Sequence, residues 1–149
     1  MVRDGAYAAG LLDGEGCILI GVRKATYRAR VNVGMTLPAL PLLQSMQAEW
    51  GGGLSRSRVA TERHAESWMW SLQGAPAAVL LEAALPHLRL KRPQAELALA
   101  VEAIRTSLPR WRNGSGLWTP EARAERAALK EKMHALNVRG PRATTVEVA

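Results

Sequence analysis

Hydrophobic and polar positions alternate in two separate stretches of the chain, and each stretch predicts a β-hairpin. In the first, residues 17–22 form a short apolar run, and residues 28–33 alternate strictly between an arginine/asparagine face and an alanine/valine face. In the second, residues 54–58 lead into a return strand at 67–73, where tryptophan and leucine alternate with polar residues. Each hairpin is therefore predicted to have one apolar face and one polar face.

Helical periodicity surrounds these hairpins. A small-residue helix precedes the first hairpin, a helix over 37–50 begins with Pro38 and Pro41 in its first turn, and helices over 76–85 and 94–108 follow the second hairpin. Thr119 is predicted to cap a last, heavily charged helix that ends near residue 136 and mostly faces solvent. The predicted fold is α+β, with an αββαββα core and one four-stranded antiparallel curved sheet. Helices are expected on one face of the sheet, and the other face is expected to be open.

A single domain is the natural interpretation of 149 residues. We assign residues 1–108 to its core and residues 109–149 to a polar linker, the last helix and a basic tail packed on the same domain. The net charge of +7 points to a polyanionic partner.

Because no apolar run approaches the roughly 20 residues that span a bilayer and no secretory pattern is present, we expect no membrane partner and a cytoplasmic location. The single cysteine, Cys17, excludes an intrachain disulfide and is predicted to be a buried strand residue.

The first helix runs directly into an acidic, glycine-rich turn. Ala6, Ala9, Gly10 and Asp13 fall at i, i+3, i+4 and i+7, so they share a helical face that another helix could approach closely. Glu15 would then be fixed just beyond the helix, where its carboxylate and the carbonyl of the preceding glycine suit Mg²⁺. The alternative is an ordinary amphipathic helix that is followed by a solvated glutamate.

Arginine occupies every second position on the polar side of both predicted hairpins. Leu54, Arg56 and Arg58 are predicted to share one strand face, as are Arg28 and Arg30 in the first hairpin. A curved, basic pair of hairpins can lie in a DNA major groove, where guanidinium groups bind guanine edges or phosphates. The alternative is that these arginines only solvate an open sheet face.

Residues 8–16 resemble the nine-residue signature of the LAGLIDADG homing endonucleases, with Glu15 in place of the last aspartate. Residues 86–95 resemble the segment that carries the active-site lysine in homodimeric, intron-encoded members, and residues 135–145 resemble their C-terminal phosphate-contacting loop. The predicted element order is also that of the family. The resemblance implies a homodimeric endonuclease that hydrolyses double-stranded DNA at a long pseudo-palindromic site and leaves 3′ overhangs. Mg²⁺ or Mn²⁺ is the implied cofactor, Ca²⁺ is an ion that could bind without supporting activity, and no organic cofactor is expected.

The resemblance also assigns roles to individual residues. The catalytic residues would be Glu15, Lys91 near the scissile phosphate, and Thr36, because Met35 occupies the position where many members have a polar residue. Glu15 and Gly14 would hold the metal. The dimer interface would consist of Ala6, Ala9, Gly10 and Asp13, and the DNA-binding residues would be Arg23, Arg28, Arg30, Asn32, Arg56, Arg58, Ser67, Met69, Arg139, Arg142 and Thr144.

Two other functions stay open at this stage. One is a non-cleaving DNA-binding regulator or RNA maturase built on the same fold, and the other is a protein-interaction module. The combination of Glu15 with Lys91 favours the nuclease, because a binder does not need both residues. The basic sheet face argues against the interaction module.

Overall fold

The structure is a computed structural model that describes residues 2–24, 26–107 and 119–138. Within these ranges the element order is that predicted, and the α+β class is confirmed. The linker at 109–118 and the basic tail beyond residue 138 lie outside the described residues. The elements are α1 (Gly5–Glu15), β1 (Gly16–Arg23), β2 (Thr26–Thr36), α2 (Leu40–Trp50), β3 (Gly53–Arg58), β4 (Ser67–Gln73), α3 (Ala75–Ala84), α4 (Arg92–Ser107) and α5 (Pro120–Asn137), with 3-10 turns at Leu37–Ala39 and Leu85–His87.

The four strands form one antiparallel sheet in the order β1-β2-β4-β3. The register pairs Val31 with Ile18 on one side and with Leu72 on the other, and all three side chains are buried. Directly paired residues project from the same face of a sheet. The helices cover this apolar face, and we call the opposite surface the open face. As predicted, the open face carries Arg28, Arg30 and Asn32 of the first hairpin and Ser67, Ser71 and Gln73 of the return strand of the second.

Close backbone approach brings the first helix against α3. Asp4 caps α1, because its side chain accepts a hydrogen bond from the Tyr7 backbone N–H. A Cβ on Gly5 would lie 2.3 Å from the carbonyl oxygen of Ala83, so α1 and α3 can meet here only because residue 5 is glycine. Ala8, Ala9 and Leu12 then enter the core. Tyr7, by contrast, is 51% exposed.

The charged last helix, α5, is packed more closely than its sequence predicts. Ala122, Arg126 and Met133 are buried, and the Asn137 side-chain amide donates to the Ile18 carbonyl of edge strand β1 at 2.8 Å. Burial lowers the pKa of Arg126 to about 10, against the opposing influence of nearby Glu102. α5 therefore supports α4 and β1 from the side of the sheet opposite the open face.

Glu102 joins α4 to the sheet. Its buried carboxylate accepts hydrogen bonds from the Ala29 backbone N–H and from Arg105 Nε, both at 2.8 Å. A buried carboxylate needs such partners because an unpaired one is strongly destabilising.

None of the described helices is both long and apolar enough to cross a bilayer.

Candidate functional site

The carboxylate of Asp13, near the end of α1, binds the loop that precedes α4. It accepts three backbone hydrogen bonds, from Arg89 at 2.8 Å, Leu90 at 3.2 Å and Lys91 at 2.9 Å. Burial raises the pKa of Asp13, but these three N–H donors and the charge of Lys91 outweigh it and hold the pKa below its ordinary value. Asp13 is therefore a clamp between α1 and the lysine-bearing loop.

Lys91 completes this junction from the other side. Its half-buried ammonium donates to the Leu12 carbonyl at 2.7 Å and also to the Gly16 carbonyl, both at the C-terminal end of α1. A cation is favoured there because the last carbonyls of a helix carry partial negative charge. A Cβ on Gly16 would lie 2.7 Å from Leu12 Cα, so the tight turn requires glycine at this position. Lys91 is thus fixed against the turn that follows Glu15.

Glu15 and Gly14 are exposed beside this junction. Among the described residues, no three His, Cys, Asp or Glu side chains gather into a group that could hold a metal ion by themselves. Mg²⁺ usually keeps several waters and binds through one or two carboxylates plus substrate phosphates. One free carboxylate with a neighbouring backbone carbonyl fits an ion that is shared with a phosphate.

The end of β2 lies near the same turn. Gly16 pairs with Val33, and the strand continues for three residues to Thr36, which is exposed and pairs with Ser67 on the open face. Met35 pairs with Trp68 and packs against the core side of the sheet. The hydroxyl of Thr36, rather than the side chain of Met35, is therefore available on the open face.

Basic side chains line the far end of the open face. Arg28 and Arg30 are exposed on β2, and Arg30 Nε donates to Asn32 Oδ1 at 3.3 Å. With Arg23 and Lys24 they border a groove of about 930 Å³ over the sheet. None of the four strands contains Asp or Glu. The groove therefore presents positive charge that no strand carboxylate neutralises.

The prediction that Leu54, Arg56 and Arg58 share one face is wrong. Arg56 pairs with Trp68 on the helix-covered side, where its guanidinium binds the Glu66 carboxylate at 3.2 Å. A bulge follows, and it brings Arg58 opposite Ser67 on the open face. Because a bulge inserts one residue, it reverses the side to which later residues point. Arg58 thus keeps its predicted position, and Arg56 does not.

Cys17 also lies on the other side of the sheet from the predicted one. It is exposed and pairs with Asn32 on the open face, whereas its neighbour Ile18 is buried. The apolar run 17–22 has no alternation that would reveal which residues point inward. Leu19 and Gly21, which also project from the open face, were missed for the same reason.

Comparison with solved structures places this arrangement in a known fold. The chain is similar to the homing endonuclease I-CvuI in complex with its Sro1.3 target in the presence of 2 mM Ca, with 24% identity, a TM-score of 0.68, and coverage of 93% of this chain and 85% of that chain. It is also similar to I-CvuI in complex with the I-CreI target C1221 in the presence of 2 mM Mg, where the DNA is not cleaved, with 26% identity, a TM-score of 0.65 and the same 93% and 85% coverage. The LAGLIDADG homing endonuclease I-SmaMI bound to cleaved DNA matches with 14% identity and a TM-score of 0.65, over 93% of this chain and 46% of that chain. No protein-family model and no curated protein matches the sequence.

The chain has the LAGLIDADG homing endonuclease fold. These likenesses confirm the resemblance seen in residues 8–16. The residues that resemble the LAGLIDADG signature lie in α1 and the turn that follows it, and Glu15 occupies the position of the last aspartate of that signature.

The exposed residues of α1 form a different stripe from the predicted dimer face. Ala9 is fully buried in the chain's own core, and the carboxylate of Asp13 binds the loop before α4, so neither side chain is presented to a partner. Ala6 and Gly10 are exposed, and Gly14 is exposed one turn later. Within the described part of the chain, nothing lies within 4 Å of a Cβ built on Gly10 or Gly14. The exposed small stripe is therefore Ala6, Gly10 and Gly14.

Three predicted DNA-binding residues, Arg139, Arg142 and Thr144, lie outside the described residues. The clamp made by Asp13 was not predicted. Its partners are 76 to 78 residues away in sequence, and no local pattern indicates such a contact.

Proposed function

We propose that this chain is a metal-dependent, site-specific endonuclease of double-stranded DNA that acts as a homodimer. The observation that carries the proposal is the position of Lys91, which is fixed at the end of α1 beside the exposed Glu15 turn and at one end of a basic open sheet face. A carboxylate, a lysine and a phosphate-attracting surface are the groups that phosphodiester hydrolysis needs in one place.

Glu15 and the Gly14 carbonyl would hold Mg²⁺ or Mn²⁺ together with the scissile phosphate. A bound divalent ion supplies Lewis-acid chemistry and a more acidic water. Lys91 has three N–H donors, and two of them bind the carbonyls of Leu12 and Gly16, so the third would be available to a phosphate oxygen. The ammonium would offset negative charge that develops on that phosphate. The hydroxyl of Thr36 would orient the attacking water.

The exposed small stripe of Ala6, Gly10 and Gly14 supports the homodimer part of the proposal. Two such stripes would let two copies of α1 approach closely and bring both Glu15 turns to a two-fold axis. The target would then be pseudo-palindromic, with the two cuts offset to leave 3′ overhangs. Gly10→Leu should weaken the dimer by about 1–3 kcal/mol through overpacking. Sedimentation of Gly10→Leu and of a control at exposed Ala48 on α2, Ala48→Leu, would separate loss of the dimer from a general effect of added leucine.

Solved complexes support the DNA and metal parts of the proposal. I-CvuI is found with DNA targets in the presence of Ca or Mg, and I-SmaMI is found with cleaved DNA. The same classes of partner, double-stranded DNA and a divalent ion, suit the charge and the donor set of this chain.

The test is to incubate the full-length protein with a randomised duplex library and Mg²⁺ and to sequence the cut ends. A recurrent site with two matched halves and 3′ overhangs is the expected result. Enrichment of a bound sequence without cutting would favour the non-cleaving regulator, and enrichment from an RNA library alone would favour the maturase. No enrichment from either library would contradict the proposal.

A further inference from the structure

The chemistry of the open face changes along the strands, and this gradient bears on which bases the protein reads. Two rows beside the Glu15 turn contain small or uncharged side chains: Cys17, Asn32 and Ser71 in one row, and Gly34, Met69 and Ser55 in the next. Beyond them, at the end of β2, Arg58 lies opposite Ser67 in the row of Thr36. Further from that turn, Arg30 pairs with Gln73 and Arg28 pairs with Gly21. We call the two uncharged rows the proximal zone and the rows of Arg30 and Arg28 the distal zone.

Met69 is the large apolar residue of the proximal zone. It is half-buried, and its terminal methyl lies 3.1 Å from the position that a Cβ on Gly34 would occupy. The side chain therefore lies flat over Gly34, and a larger residue at position 34 would displace it. A methionine held in this way offers an apolar surface but no strong hydrogen-bond donor.

Arg30 in the distal zone is held in a different way. Its Nε donates to Asn32 Oδ1 at 3.3 Å, and its Cδ lies 3.8 Å from the position of a Cβ on Gly21. The contact with Asn32 uses one of the five N–H donors of the guanidinium, so two parallel donors are left for a base edge. Guanine presents two acceptors, O6 and N7, in the major groove, whereas thymine presents a methyl group there.

We propose that each half of the target contains guanine where Arg28 and Arg30 reach and a thymine methyl where Met69 reaches, with the thymine nearer the cut. This inference rests on the proposed function. Arg30 and Gly34 are four residues apart on β2, which is about 13 Å along a strand. At about 3.4 Å per base pair, the two contacts should be separated by about four base pairs.

The experiment compares cleaved-end profiles of the wild-type protein and three variants on the randomised duplex library with Mg²⁺. Arginine suits guanine and glutamine suits adenine, so Arg30→Gln should change the preferred base from guanine to adenine at one position in each half-site. The expected change in relative cleavage of the two sequences is roughly 5- to 150-fold. Met69→Ser should remove the preference for thymine about four base pairs closer to the cut.

Arg56→Gln is the matched control, because it makes the same chemical change on the helix-covered side of the sheet. Its profile should equal that of the wild type. The inference is overturned if Arg30→Gln lowers cleavage of all sequences equally, or if Arg56→Gln changes the same base preference. It is also overturned if the preferred thymine lies farther from the cut than the preferred guanine. These outcomes require that wild-type protein cuts DNA at a preferred site. Absence of any wild-type cutting would instead contradict the proposed function.

Discussion

The junction between the end of α1 and the loop that precedes α4 holds its charged side chains differently from the open face of the sheet. At the junction, Asp13 and Lys91 together make five hydrogen bonds to backbone atoms. On the open face, Arg28, Arg30 and Arg58 are exposed, and Arg30 is held by an adjacent asparagine on its own strand. Chemistry on a phosphate needs groups held within a fraction of an ångström. Reading a base edge instead needs donors that are still unused when DNA arrives.

The same comparison separates two kinds of arginine that look alike in sequence. Arg56 is two residues from Arg58, but it lies on the helix-covered side and binds Glu66. Its charge is partly neutralised by a carboxylate, whereas no strand carboxylate neutralises Arg58. A basic pattern therefore predicts a surface for DNA only after the register of each strand is known.

The largest expected effect concerns Glu15 at the junction. Glu15→Gln should leave folding and DNA binding near the wild-type level and lower the cleavage rate by at least ~10²-fold, because a single electrostatic group in a charge-stabilised site contributes about that much. The measurements are single-turnover cleavage and gel-shift binding on the selected target.

The matched control for Glu15 is Glu82→Gln, which removes the same charge from an exposed position on α3. It should cleave like the wild type. If Glu15→Gln retained the wild-type rate, the assignment of the metal-binding carboxylate would be wrong.

A smaller effect is expected from the clamp at the same junction. Asp13→Asn loses part of the acceptor set for three backbone N–H groups and should lower the free energy of unfolding by about 1–3 kcal/mol at neutral pH. The pKa of Asp13 is held below its ordinary value of 3.8. Its contribution is therefore fully present above the unfolded-state pKa and is lost as pH falls through the folded-state pKa.

Urea unfolding as a function of pH tests this. The difference in free energy of unfolding between wild type and Asp13→Asn should be constant above about pH 5 and should narrow below it. A difference that grows as the pH falls would show that the ionised carboxylate does not stabilise the junction.

On the open face, the expected effect on binding is a change in salt dependence. Replacing Arg23, which borders the distal groove, with glutamine should reduce the slope of log binding constant against log salt by about one unit per chain if it contacts a phosphate. Arg123→Gln on α5 removes an equal charge away from the sheet and should leave the slope unchanged. Equal slopes for wild type and Arg23→Gln would show that Arg23 does not contact a phosphate.

Sequence patterns predicted the parts of this molecule that repeat locally. Alternation in β2 and β4 placed Val31, Trp70 and Leu72 in the core and Arg30 on the open face, and the structure confirms these positions. The single extra residue of a bulge is not visible in such a pattern, so Arg56 and Arg58 were wrongly assigned to one face. The clamp depends on where the loop that precedes α4 meets the end of α1, and this contact between residues 76 to 78 positions apart is not visible in local periodicity.

The smallest expected effect tests the corrected position of Cys17, which separates the open face from the core. Cys17→Ser replaces an exposed side chain and should change the free energy of unfolding by no more than about 0.5 kcal/mol. Ile18→Ala, one residue further along β1, removes a buried side chain and should lower the free energy of unfolding by about 2–5 kcal/mol. A thiol reagent should label Cys17 in the free protein, and bound target DNA should slow the labelling because this cysteine pairs with Asn32 on the open face. If Cys17→Ser destabilised the protein as much as Ile18→Ala, the assignment of inward and outward side chains on β1 would be wrong. Cys17 would then not belong to the proximal zone of the open face.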